Sequence, residues 1–166
     1  WGFRINENYR TKRFITCAID KIMAMGGSYL LNIGPTANGD FPPQASNLLA
    51  RVGDWYTRMQ NCLEQTEPDG FDYRVYGQKV IALRKNGRTY LHFYDGLTAN
   101  GVILQQYPHR PRTVRLMNTN TTLPFEECLM PVSPPAEIGK IPSPPTVLHI
   151  SNIPADILCD EPIVLE

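Results

Sequence analysis

At Glu67-Pro68-Asp69-Gly70 the chain changes its pattern, and that break limits the possible folds more than any other feature. Before it, apolar residues recur at helical spacing. Phe14, Ile15, Ala18, Ile19, Ile22 and Met23 make one stripe, and Leu48, Leu49, Val52, Trp55, Tyr56 and Met59 make another. Beyond it no helical period is found. Short β-branched and aromatic runs follow at 72–76, 80–84, 89–94, 102–105, 113–117, 146–150 and 163–165, separated by Asn-Gly, Asp-Gly and proline. Asn86-Gly87 between two of these runs predicts a tight hairpin. The pattern is α/β followed by all-β, the second part an antiparallel sandwich over 70–166 and without a helix longer than two turns.

The first part, residues 1–66, reads as helix, glycine stop, apolar strand, polar loop, helix. Thr11 is the N-cap of a helix over 12–25, and Gly26 closes its last turn in the left-handed conformation. Tyr29-Leu30-Leu31-Asn32-Ile33 predicts a buried strand over 28–33, broken by Gly34-Pro35. Asn38-Gly39-Asp40 forms a tight turn, and Pro42-Pro43 leads into a helix over 44–63. Burying the six large residues of that second helix is worth on the order of 10 kcal/mol before entropy is subtracted. They need a sheet to bury against, and one strand is not a sheet. Asn32, where the strand ends, either faces a ligand or satisfies loop backbone.

Composition excludes several classes. The 166 residues carry no net charge, so nothing favours nucleic acid or an anionic membrane as partner. No apolar run approaches the ~20 residues needed to span a bilayer. Cys17, Cys62, Cys128 and Cys159 are far apart, with no CxxC pair and no histidine at ligand spacing, so neither a metal nor a cofactor is expected. His92, His109 and His149 are scattered, and none reads as catalytic. Residues 131–145 hold six prolines and read as an exposed loop. The opening Trp1-Gly2-Phe3-Arg4 in place of Met leads us to expect a piece of a longer protein.

Residues 1–10, WGFRINENYR, form a loop dense in chemistry: two arginines, two asparagines, one carboxylate and three aromatics. About twenty residues later comes MGGSYLLNIGPTANGDFPP, then a helix ending near LLARVGDWY. In this order and spacing the segments resemble the end of the catalytic barrel of the retaining α-L-fucosidase family of glycoside hydrolases. RVYGQKVIALRKNGRTYLHFY and the run 113–119 resemble that family's C-terminal sandwich more loosely. The chain departs from the family pattern at Ser28, where Asn is usual, and at Gln60-Asn61-Cys62-Leu63-Glu64, where Gly-Glu-Ala-Ile-Tyr is common.

The resemblance implies the last part of a (β/α)8-like barrel, about two of its eight units, followed by the sandwich. It also implies that the remainder of the barrel is this chain's partner, with the nucleophilic aspartate on an earlier strand. One branch of the family has its acid/base glutamate a few residues after an aromatic-Gly-aromatic turn, which is the place of Glu7. Such a glutamate must start protonated, which an aromatic surround favours, and Trp1 and Phe3 stand beside it. Read from the residues alone, Glu7 is an exposed loop carboxylate, with Trp1 and Phe3 packed under the loop. Arg4 either pairs with Glu7 or contacts sugar hydroxyls; Trp1 and Asn32 are candidates for lining the sugar site. The implied substrate is a fucosylated glycan or glycoside, and the implied compartment is secreted, periplasmic or lysosomal. Asn120-Thr121-Thr122 is a glycosylation sequon, meaningful where the source glycosylates secreted proteins. The competing reading is a non-catalytic structural or carbohydrate-binding sandwich. Both tryptophans precede residue 56, so the sandwich has no tryptophan platform for sugar.

Overall fold

The computed structural model describes residues 2–130 and 145–166. Helix α1 spans Lys12–Ala24 and helix α2 spans Pro43–Leu63. Ten short strands follow: β1 Glu67–Pro68, β2 Arg74–Val75, β3 Ile81–Lys85, β4 Arg88–Phe93, β5 Val102–Gln106, β6 Val114–Leu116, β7 Thr121–Leu123, β8 Phe125–Leu129, β9 Thr146–Ile150 and β10 Ile163–Leu165. All pair antiparallel, in one sheet ordered β1-β3-β4-β10-β6-β7 and another ordered β2-β5-β9-β8. No helix lies beyond residue 72 among the described residues.

The helix ends are set by their expected residues. Thr11 Oγ1 accepts from the Phe14 amide at 3.2 Å. Gly26, at φ +80°, donates to the Met23 carbonyl, and Gly27 donates to Ile22, which closes α1 with the paired bonds of a Schellman stop. Pro43 opens α2, where its missing N–H is no loss. Asn86 and Gly87, both at positive φ, join β3 to β4 with Lys85 opposite Arg88.

Three layers result. Between the sheets lies a core that includes Leu91, Phe93, Leu104, Leu116, Leu148, Ile150, Ile163 and Leu165. On the outer face of the six-stranded sheet lie both helices, with Trp55, Met59, Cys62, Leu63 and Ala24 packed on Leu83, Tyr90 and Val164. Strand alternation explains the division: Leu91 and Phe93 point into the sandwich, Tyr90 and His92 towards the helices. Burial pushes the Cys62 thiol up to about 12, so it behaves as a small hydrophobe.

Two expectations need correction. Residues 28–33 form no strand; Leu30 is 81% exposed and Asn32 is exposed. The run is a lone one, and it joins neither sheet. Second, the buried face of α1 is Ile15, Thr16, Asp20 and Ala24, rotated from the apolar stripe, which leaves Phe14 half exposed. The cause is where α1 docks: its partner is the six-stranded sheet, supplied by the second part of the chain. The proline-rich stretch falls outside the described residues except for Pro145.

Candidate functional site

Residues 2–10 form an irregular segment, all exposed, with a turn at Ile5-Asn6 where Asn6 takes φ 67°. It is held against the loop after residue 33. A Cβ built on Gly34 would lie 2.5 Å from the Gly2 carbonyl carbon and 2.7 Å from the Phe3 nitrogen. Only glycine permits backbone to approach that closely. The contact brings together the two motif segments, one carrying Phe3, Arg4 and Glu7, the other ending in Asn32. At the far end, the Arg10 guanidinium sits over the Phe14 ring at 4.7 Å, anchoring the segment to α1.

Within that frame the side chains are open. Phe3 is 42% exposed, and Arg4, Glu7 and Asn32 are all exposed. No salt bridge joins Arg4 to Glu7 among the described residues. Trp1 lies outside the described residues. Among the described residues nothing encloses Glu7. Two clefts open elsewhere, on the sandwich. One, of about 720 Å³, is rimmed by Arg88, Arg110, Arg112 and Arg115; the other, of about 790 Å³, is lined by Arg58, Lys85, Arg88 and Arg115 among others. Neither is lined by a residue of the motif segments. Among the described residues no group of three His, Cys, Asp or Glu side chains is placed to hold a metal, and no helix is long and apolar enough to cross a membrane.

Sequence reasoning missed two buried polar clusters that tie the motif-bearing helices to the sandwich. Glu161, 2% exposed, accepts from Lys12, Arg58 and Asn118 at 2.8–3.2 Å. Burial pushes its carboxyl up, but the three donors outweigh that and hold it below the ordinary value. Asn118 also donates to the Pro162 carbonyl and accepts from the Val164 amide. In the second cluster, His92 Nδ1 lies 2.9 Å from Asp20 Oδ1, and His92 Nε2 donates to the Cys62 carbonyl at 3.1 Å. Both side chains are fully buried. The signal for this pair was present: Asp20 interrupts the most apolar turn of α1, and His92 sits in a strand of hydrophobes.

The family model described as Alpha-L-fucosidase matches residues 1–61, the part that holds both motif segments, α1 and most of α2. Over that part the chain is similar to the alpha-L-fucosidases. The tissue alpha-L-fucosidase of Mus musculus is 28% identical over 160 residues, 90% of this chain and 33% of that protein. The alpha-fucosidase of Thermotoga maritima, solved also in complex with fucose, superposes with TM-score 0.67 at 21% identity, over 99% of this chain and 36% of its own. Alpha-L-fucosidase isoenzyme 1 from Paenibacillus thiaminolyticus superposes with TM-score 0.70 at 20% identity, over 99% and 36%. The chain therefore shares the fold of these structures and spans about a third of the length of the relatives it matches.

Proposed function

We propose that this chain is the C-terminal third of an α-L-fucosidase, a retaining glycoside hydrolase that releases α-linked L-fucose from glycans. The observation that carries this reading is the close backbone packing of Gly34 on Gly2 and Phe3, inside the segment that matches the fucosidase family. It fixes the Glu7 loop beside the Asn32 loop, which is how residues from separate βα units come to share one site. In this reading residues 1–66 are the last part of a (β/α)8-like barrel and residues 70–166 its C-terminal sandwich. The sandwich braces the barrel, a role supported by the burial of α1 and α2 on its outer face.

Retaining hydrolysis needs two carboxyl groups about 5–5.5 Å apart. One attacks the anomeric carbon and forms a glycosyl-enzyme. The other protonates the leaving oxygen and then takes a proton from the incoming water. Glu7 is assigned the acid/base role, and the nucleophilic aspartate belongs to the barrel's earlier strands. Phe3 offers an aromatic face to the apolar methyl edge of fucose, while Arg4, Asn32 and Trp1 contact its hydroxyls and ring.

The test is Glu7→Ala in the full-length parent. Fucosides with poor leaving groups need protonation and slow most. An activated aryl fucoside loses less in its first step, and azide restores turnover where breakdown of the glycosyl-enzyme limits the rate. Unchanged rates on both substrate types would move the acid/base into another part of the barrel.

A further inference from the structure

We propose that Asn120 carries an N-linked oligosaccharide at the exposed β6–β7 turn of the six-stranded sheet. Asn120-Thr121-Thr122 is the only Asn-X-Ser/Thr sequence in the chain. Asn120 lies in the turn between β6 and β7 at φ 57°, a left-handed conformation that asparagine tolerates, and it is exposed. Thr122, also exposed, pairs with Arg115 across the β6–β7 ladder. Cross-strand partners share a face, and Val114, Leu116 and Leu123 point the other way into the core. The acceptor amide and the threonine hydroxyl are thus on the same accessible side. Arg115 Nη1 donates to Asn120 Oδ1 at 3.2 Å, which fixes the carboxamide and leaves its nitrogen without a partner among the described residues. Thr119 and Thr121 hydroxyls bond to each other at 2.8 Å, so neither competes for Asn120.

The donor is a lipid-diphosphate-linked oligosaccharide. The Asn120 carboxamide nitrogen forms the bond to C1 of the first sugar as the C1–O bond breaks. The lipid diphosphate leaves with that electron pair, and the nitrogen gives up one proton. The attached glycan stands next to β7, the last strand in the order of the described strands of its sheet. An unpaired strand edge invites pairing with another chain, and a bulky hydrated group beside it prevents that.

The full-length protein from its native source is digested with peptide N-glycosidase in heavy-oxygen water, and the peptide containing residue 120 is read by mass spectrometry. We expect a labelled aspartate at position 120. Thr122→Ala should abolish the label while circular dichroism shows the fold intact, and Thr122→Ser should retain it. An unmodified Asn120 in the native-source protein overturns the proposal. Equal self-association before and after glycan removal overturns the shielding of β7.

Discussion

Glu161 shows how much one residue can hold. It joins Lys12 of α1, Arg58 of α2 and Asn118 after β6, three separate parts of the chain. Its folded value lies below its unfolded one, so the stability it contributes is present above about pH 4.5 and is lost as pH falls through the lowered value. Glu161→Gln should therefore flatten the acid limb of a stability–pH curve. It should also cost roughly 3 kcal/mol at neutral pH, the low end for a broken buried pair because Arg58 stays partly in water. Denaturant melts across the acid range check both. Gly34 is the other residue that admits no substitute. In Gly34→Ala the methyl group meets backbone atoms of Gly2 and Phe3 at under 3 Å, which no side-chain rotation relieves. Residues 2–10 should detach, seen as faster proteolysis of that segment, while the melting temperature of the rest holds.

Each helix depends on where its polar residues end. Asp20 and His92 couple α1 to β4, and His92 reaches on to the last turn of α2. Removing one partner leaves a buried group bare, whereas replacing both with apolar groups does not. His92→Phe alone should destabilise by roughly 3–5 kcal/mol. The double variant Asp20→Leu/His92→Phe should recover about 1–3 kcal/mol of that, as a double-mutant cycle by chemical denaturation would show. These contacts also mark the limit of the sequence reading. Thr11, Gly26, Pro43 and Asn86-Gly87 act locally, so both helices and the β3–β4 hairpin were legible within a residue or two. Strands β7 and β8 were not: β7 is only Thr121–Leu123, and β8, Phe125–Leu129, carries Glu126 and Glu127 and takes its pairing from β9 farther along the chain. Residues 28–33 failed the opposite way: an apolar run becomes a strand only where neighbours exist. For the site, the motif residues were legible by resemblance and the meeting of their segments was not. That meeting depends on the lack of a side chain at Gly34, which carries no signal without coordinates.

At the scale of the molecule, the helices and the sandwich form one body, because Trp55 and Met59 are fully buried against the outer sheet. The motif segments are the exception. Ile5 is 83% exposed, Leu30 81%, Phe41 57% and Phe3 42%. In the proposed reading these side chains face the rest of the barrel; in this chain they face water. Exposed apolar groups concentrated on adjoining segments favour association. The chain on its own should therefore self-associate with rising concentration while α1, α2 and both sheets keep slow amide exchange and residues 2–10 and 27–41 exchange fast. Replacing Ile5 and Leu30 together by serine should shift sedimentation towards monomer. Both are already in water, so stability should change by less than about 0.5 kcal/mol. A double variant that associates as strongly as the parent chain would place the sticky surface elsewhere, with the exposed edge of β7 the next to test.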